Sequence, residues 1–412
     1  MTAVLAADAP RDEFADPRGR MAVWCAFLVA MFAWGFAFYG PPIFLKAVVS
    51  RTHWPVTLVS AAVTFHYLSG AAVVLVLPRV HARWGLAGVS ASGCFALVGG
   101  VLGWAAAREP WQLFAAAAVS GTGWACLGAA GINAIVSRWF THDRPVALAR
   151  AYNGASIGGV LFSPLWSVAI ERVGFLLAAC LLGLLMLAVV LAICATVLRR
   201  QPQPGGAGPD ARAGGRRPAD EGARPAQVGW ADPRFLSLTI ALTCGLVAQI
   251  GVLTHLYSIL YPRLGPQGAG WTMAAATLCA VAGRSLASWR MRVQPDRRVI
   301  AAQFYLLQLC GCFCVAALLD AGVVACAGVL LFGLGIGNAL SLPPLIAQAE
   351  FAIDAVPRVV ARFVGVSQGF YAFAPAAFAW FLKGKGGVWG FMGVAMALQA
   401  TAAALLVATR RR

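Results

Sequence analysis

Apolar runs of about 20 residues recur along the whole chain, and each has the length that an α-helix needs to cross a lipid bilayer. Of the 412 residues, 60% are hydrophobic and only 11% are charged, whereas soluble domains carry roughly 25% charged residues. Backbone amides cannot remain unpaired in hydrocarbon, so runs of this kind fold as helices. The sequence therefore predicts an all-α membrane protein.

We predict twelve transmembrane helices in two pseudo-symmetric six-helix bundles. The predicted spans are Ala22–Leu45, Thr57–Leu77, Gly85–Ala107, Trp111–Val136, Ala151–Ile170, Val173–Leu198, Phe235–Leu260, Gly268–Trp289, Val299–Leu319, Val323–Ala347, Phe363–Leu382 and Val388–Ala408. The predicted organisation is an N-terminal tail (1–21), a first bundle (22–198), a linker (199–234), a second bundle (235–408) and a C-terminal tail (409–412). The linker is rich in Pro, Gly, Ala and Arg and cannot bury a core, which is typical of a flexible connection.

The distribution of basic residues predicts the orientation. Most of the 32 Lys and Arg fall in the tails and in the connections that share a side with both termini, and such an excess marks the cytoplasmic side. We therefore expect a plasma (inner) membrane protein whose termini and linker are cytoplasmic. The mixed charges of the first residues do not have the order of a cleavable signal peptide. The net charge of +17 follows the topology, so we expect no nucleic-acid partner.

The two bundles carry a weak internal repeat. The stretch 144–150 leads into the fifth span and the stretch 357–362 leads into the eleventh, and each is followed by Gly, Ser and Pro at similar spacing. Transporters are commonly built from such repeats, with the substrate near the midplane between them. This pattern favours a transport function.

Arg284 is the only Lys or Arg within a predicted span. A cation in hydrocarbon is costly and usually faces a protein interior or a water-filled path. Its neighbours on the helix face, including Thr277 and Ala280, are small, which leaves room beside a guanidinium that can bind a carboxylate through two hydrogen bonds. Two alternatives remain open: the side chain snorkels to the headgroups, because it lies near the span's end, or it makes a structural contact.

Other polar and aromatic residues within the spans are further candidates. His66 and His255 titrate in the physiological range and could relay protons, or could be neutral packing residues. None of the 15 Asp and Glu lies in the middle of a span, so a proton relay would need a histidine or the substrate itself. The candidate substrate-binding residues are Trp34, Tyr39, Gln249, His255, Thr277, Arg284, Asn338 and Tyr371. For the amides an interhelical hydrogen bond is the alternative.

Nothing in the sequence predicts a catalytic or metal site. The 11 Cys lie in apolar runs without metal-ligand spacing and are expected to pack as small apolar residues. No nucleophile–base pair is visible, so we expect neither an enzyme nor a bound cofactor or metal. Gly40-Pro41-Pro42 in the first span is expected to bend or break that helix, and its aromatic neighbours either line a pocket or only pack around the kink.

Three short motifs are notable: residues 38–45 (Phe-Tyr-Gly-Pro-Pro-Ile-Phe-Leu), 137–140 (Ser-Arg-Trp-Phe) and 282–285 (Ala-Gly-Arg-Ser). With its spans, linker and repeat, the chain resembles the major facilitator superfamily, and these motifs more narrowly resemble its monocarboxylate and oxalate–formate porters. The narrower resemblance implies that Arg284 contacts a substrate carboxylate. Those porters place an acid one turn earlier, where this chain has Ala280, and a lysine near the position of Tyr39.

From the residues and the resemblance together we expect a secondary transporter for a small organic anion, most simply a monocarboxylate. It would work as a monomer in the lipid bilayer by alternating access of the two bundles. The alternative is a porter of the same fold for a neutral or cationic solute, including drug efflux. A membrane receptor is a third possibility, although no soluble signalling domain is present in the sequence.

Overall fold

In the computed structural model the described residues are 14, 16–140, 143–199, 229–294, 296–352 and 355–410. Most of the predicted linker and N-terminal tail, and the end of the C-terminal tail, lie outside them. The described chain is helical and contains no strand. The α-helices are α1 Pro17–Ala37, α2 Gly40–Thr52, α3 Val56–Ala106, α4 Pro110–Leu127, α5 Ala129–Ser137, α6 Arg144–Val173, α7 Phe175–Ile193, α8 Pro233–Val293, α9 Arg297–Leu318, α10 Ala325–Ile336, α11 Asn338–Glu350, α12 Val356–Tyr371, α13 Ala374–Lys383 and α14 Gly387–Ala408.

Two of these helices are too long for a single crossing. The apolar stretches Val56–Ala106 and Pro233–Met291 contain 51 and 59 residues, against roughly 20 for one crossing. Each is interrupted by one glycine, Gly85 at φ 68° or Gly265 at φ 66°, where a residue with a Cβ would be strained. The chain therefore turns back at each glycine. Among the described residues, 8 helical stretches are apolar and long enough to span a bilayer. Division of two of them at these glycines, and of Arg297–Ile336 at the turn Leu319–Val324, gives eleven segments, and α12 with α13 adds a twelfth, which is consistent with the predicted twelve crossings.

The first crossing is broken, as the Gly-Pro-Pro sequence predicts. α1 ends at Ala37 and α2 begins at Gly40, which places Pro41 and Pro42 in the first turn of α2. Proline fits there because the first amides of a helix have no partner within it. The break leaves Tyr39 at the junction of the two helices, 7% exposed. The prediction of a broken helix is confirmed.

The helices pack as two halves that meet along a shared interface. In the first half α1 packs on α6 and α3 packs on α4, and in the second half α8, α9, α10 and α14 pack together. Between the halves, α6 runs antiparallel to the second part of α8, and α3 meets α13. We call the side where α1 begins and α14 ends the terminal side, and the opposite side the distal side.

Contacts across the interface hold the halves together on the distal side. The amide of Ala376 in α13 donates to Oγ1 of Thr64 in α3 over 3.2 Å. A Cβ added at Gly270 in α8 would lie 3.1 Å from Cα of Pro164 in α6, so these two helices approach closely. Small residues permit such approach between membrane helices.

A buried ion pair ties the second half together on the terminal side. Arg298, only 2% exposed, donates from Nη2 to one carboxylate oxygen of Glu350 at 2.7 Å and from Nε to the other at 2.5 Å. Its Nη1 donates to the hydroxyls of Ser237 at 3.0 Å and Thr409 at 2.6 Å, and Nη2 also donates to the carbonyl of Arg234. One guanidinium thus joins the ends of α8, α9, α11 and α14, and its satisfied donors make a buried charge tolerable.

Candidate substrate site

Arg284 lies at the interface between the two halves. It projects from the second part of α8, and its Nη2 donates to Oγ of Ser156 in α6 over 2.7 Å. The side chain is half-buried. Helix α8 continues to Val293, so Arg284 lies about 13 Å before its end at the helical rise of 1.5 Å per residue. The helix is longer than the predicted span, and the guanidinium is turned toward the other half.

Tyr39 and Thr277 lie beside Arg284. The Tyr39 side chain is near enough to Thr277 and Arg284 to interact with both. The Thr277 hydroxyl donates to the carbonyl of Met273 at 3.0 Å. A Cβ added at Gly159 in α6 would lie 2.7 Å from both the Tyr39 ring and the Thr277 methyl. Three helices, α2, α6 and α8, therefore converge at this point, and only a glycine fits there.

The break between α10 and α11 forms another wall of the site. A Cβ added at Gly337 would lie 2.9 Å from Cγ and 3.0 Å from Nη1 of Arg284, so the guanidinium lies against this glycine. The amide of Asn338 donates to the carbonyl of Gly283 over 3.1 Å. Asn338 is 2% exposed and thus fixes α11 against the backbone that carries Arg284. Asn338 therefore helps to position the arginine. Its side chain makes the interhelical hydrogen bond that the sequence analysis gave as the alternative to substrate contact.

Trp34 and Tyr371 flank this group without touching Arg284 in any described contact. The half-buried Trp34 packs edge-on against Trp124 at 4.8 Å and Tyr152 at 5.8 Å between ring centroids, about one turn nearer the terminal side than Ser156. Tyr371 in α12 meets Tyr67 in α3 edge-on at 6.4 Å. Of these rings, Tyr67 also lines the small cavity beside Tyr39.

Gln249 and the two histidines lie inside the bundles. Gln249 accepts from Nε2 of Gln308 over 3.2 Å within the second half. His255 is fully buried, and its Nε2 lies 2.9 Å from the carbonyl of Pro375. A carbonyl only accepts, so Nε2 carries a proton and donates, which supports the α12–α13 break. The structure does not bring Gln249 or His255 to Arg284.

His66 occupies the corresponding interior of the first half. Its Nδ1 lies 2.8 Å from Oγ of Ser120, and the same hydroxyl accepts from Nε1 of Trp104 over 3.3 Å. The ring is 2% exposed and joins α3 to α4. Both histidines therefore make contacts that hold helices together, and their predicted role in proton coupling remains a prediction.

The arrangement is chemically suited to a small anion. Arg284 offers a permanent charge with a planar set of donors, and Tyr39 and Thr277 add hydroxyls. Directly beside them is a small cavity of about 10 Å3 lined by Phe38, Tyr39, Tyr67, Met273 and other apolar residues, which has room for about one water. The described residues contain no cluster of His, Cys, Asp and Glu that could hold a metal ion.

Ser156 and Gly337 are the site residues that the sequence did not identify as partners of Arg284. Ser156 appeared there only as part of the weak repeat, and Gly337 was not singled out. A search for small and hydroxyl-bearing residues on the spans that face span eight would have identified both residues, because a buried guanidinium needs space and a hydrogen-bond acceptor.

Comparison with known proteins identifies the class of transporter. The sequence matches the family model of the Major Facilitator Superfamily over residues 23–379, and the chain belongs to this superfamily. It is therefore a multi-pass membrane transporter rather than an enzyme. The match is to the superfamily and does not extend to the monocarboxylate subgroup.

Solved structures agree on the fold. The chain is similar to the nucleoside transporter NupG, with a TM-score of 0.71 and 11% identity over 95% of this chain and 98% of that chain. It is also similar to a D-xylose-proton symporter, with a TM-score of 0.72 and 12% identity over 94% of this chain and 96% of that chain. At such low identity the likeness concerns the fold alone.

One curated relative shares a shorter region. The MFS-type transporter pynF of Aspergillus niger (strain ATCC MYA-4892 / CBS 513.88 / FGSC A1513) is 29% identical over 72 residues, which is 18% of this chain and 17% of that protein. The shared region thus spans less than a fifth of the relative.

Proposed function

We propose that this protein is a secondary transporter of a small organic anion, most simply a monocarboxylate, and that it works by alternating access of the two halves. In this proposal Arg284 binds the carboxylate of the substrate. The observation that carries the proposal is the placement of the guanidinium. It lies on the interface between the halves, donates to Ser156 across that interface at 2.7 Å, and is half-buried. A cation in this position is energetically costly, and such cations usually belong to a functional site.

The neighbours of Arg284 support an anion of limited size. Tyr39 and Thr277 supply hydroxyl groups, while Gly159 and Gly337 let the neighbouring helices pack closely around the arginine. One turn before the arginine, on the same face of the helix, the residue is Ala280 and not an acid.

Counterflow in proteoliposomes tests the proposal. The purified protein is reconstituted and loaded in turn with unlabelled pyruvate, benzoate, xylose, uridine and a quaternary amine, and entry of the labelled form of each compound is measured. We expect saturable counterflow of one or both carboxylates and none of the sugar, nucleoside or amine. Counterflow of only a neutral or cationic compound would contradict the anion assignment and support the alternative porter.

We also propose that the termini and the 199–234 linker are cytoplasmic in the plasma (inner) membrane. The excess of Lys and Arg on the terminal side supports this orientation. Ala226→Cys places a thiol in the linker and Ser50→Cys places one on the distal side. An impermeant maleimide applied to intact cells should label the second and spare the first, and the reverse pattern would invert the topology.

A further inference from the structure

The distal side contains a second cavity between the halves, with a volume of about 340 Å3. This is within the range of small-molecule sites, roughly 300–1,000 Å3. Its walls are formed by α2, the end of α6 and the start of α7 in the first half, and by α8 on both sides of the Gly265 turn in the second half. We call this cavity the distal vestibule.

Two cations and one anion line the distal vestibule. Lys46 and Arg51 come from α2, and Glu171 comes from the end of α6. The Lys46 ammonium lies 4.7 Å from the centroid of the Tyr261 ring, and Nη2 of Arg51 donates to the carbonyl of Trp104 over 3.2 Å. The ion pairs that the structure describes do not include one between Glu171 and either cation. The lining therefore has a net positive charge that is not neutralised by direct pairing.

A hydrogen-bonded contact between the halves closes the floor of the vestibule. The hydroxyl of Ser167 in α6 donates to the carbonyl of Pro266 in α8, and the Tyr257 hydroxyl in α8 lies 2.7 Å from Oγ of Ser167. Since Ser167 has one proton and gives it to Pro266, Tyr257 is the donor to Ser167. Ser167 and Tyr257 are 2% and 3% exposed. This contact separates the vestibule from the site around Arg284.

Helix α2 connects the two compartments. Tyr39, Ile43, Lys46 and Ser50 are spaced four, three and four residues apart, which places them on one face of a helix. Tyr39 belongs to the site around Arg284, whereas Ile43, Lys46 and Ser50 line the vestibule. Lys46 lies about 10 Å along the helix from Tyr39 at the helical rise. A single helix face thus leads from the vestibule to the central site.

We propose that the distal vestibule is an outer binding site for the organic anion, in which Lys46 and Arg51 hold the carboxylate before the contact between Ser167, Tyr257 and Pro266 opens. Positively charged clefts concentrate anions and raise their rate of association. The inference rests on the proposed function, because it takes the transported ligand to be a carboxylate. It assigns recognition on the distal side to residues that are separate from Arg284.

The local charge can be measured without transport. Ser50→Cys places a thiol on the exposed edge of the vestibule, and the full-length protein in proteoliposomes is treated from the distal side with anionic ethylsulfonate or cationic ethyltrimethylammonium methanethiosulfonate. Labelling of the protein without this cysteine is subtracted. Lys46→Gln should lower the anion-to-cation rate ratio at least about threefold, as expected for one charge near 6 Å in water. Glu171→Gln should raise the ratio.

Lys385→Gln is the matched control, because Lys385 is an exposed lysine on the distal side that does not line the vestibule. It should leave the ratio unchanged. Equal ratios in Lys46→Gln and the parent would overturn the proposal, and so would a fall of the same size in Lys385→Gln, which would indicate a general surface charge.

Protection by benzoate tests binding itself. Benzoate should slow modification of Ser50→Cys, should do so less in Lys46→Gln, and should still do so in Arg284→Ala. If benzoate no longer protected Ser50→Cys in the Arg284→Ala variant, the protection would come from binding at the central site, and the proposed binding in the vestibule would be refuted. Absence of protection alongside working carboxylate counterflow would also overturn it. Protection without any carboxylate counterflow would support the vestibule while refuting the proposed transport of these anions.

Discussion

Replacement of Arg284 separates a carboxylate site from a structural or snorkelling arginine. Arg284→Ala removes the charge and the whole set of donors, and Arg284→Lys keeps the charge but has no planar fork. A hydrogen bond to a charged group contributes about 1.5–3 kcal/mol, which corresponds to a roughly 10- to 150-fold change in Kd. We therefore expect Kd for the counterflow-active carboxylate to rise by that factor in the alanine variant and by up to about tenfold in the lysine variant.

The measurement is equilibrium binding of the labelled carboxylate to purified protein in detergent, with thermal unfolding recorded in parallel. Arg290 is a matched control on the same helix: it lies nearer the terminal end, and its Nη2 donates to Gln303 over 3.2 Å. Arg290→Lys and Arg290→Ala should retain the parent affinity. Parent affinity in Arg284→Lys would refute two-point binding, and parent affinity in Arg284→Ala would refute the site altogether.

Three further changes test other parts of the structure. Gly159→Ala adds a Cβ that would lie 2.7 Å from the Tyr39 ring, so initial counterflow should fall about tenfold or more through displacement of the site, whereas Gly99→Ala, with nothing within 4 Å, should be neutral. Arg298→Met breaks a buried ion pair, and unfolding in detergent should show a loss of about 3–5 kcal/mol; a change under about 1 kcal/mol would mean that the pair behaves as an exposed one. If protons are coupled through histidine, His66→Gln combined with His255→Gln should abolish proton-driven accumulation, and intact accumulation would show that the route lies elsewhere.

The parts of the fold that follow from local chemistry could be predicted from the sequence. The length of the apolar runs predicts the membrane crossings, and the Gly-Pro-Pro sequence predicts the break before α2. Helix periodicity puts Thr277 and Arg284 on one face of α8, and the structure places them together with Tyr39. The helix ends were less accurate: α8 extends to Val293, beyond the predicted end at Trp289, because amphipathic residues continue a helix into the interface without raising its apolar average.

The partners across helices could not be predicted, because they depend on how each helix is rotated against its neighbours. Ser156 became a partner of Arg284 only through the antiparallel approach of α6 and α8. Arg298 lies just before the predicted span Val299–Leu319, in a connection, yet four helix ends enclose it at 2% exposure. His255 has the right chemistry for a relay, but its position depends on the carbonyl that the α12–α13 break presents to it.

The break in the first crossing gives the two proposed sites a common mechanical element. Tyr39 occupies the junction between α1 and α2, and Lys46 lies about two turns along α2 on the same face. The distal floor is formed by other helices, through Ser167 and Tyr257. Because α2 is separated from α1 by the junction, it can tilt without unwinding the rest of the crossing. A tilt of α2 would then move Lys46 and the hydroxyl of Tyr39 together, whereas opening of the distal floor also requires the contact between α6 and α8 to break.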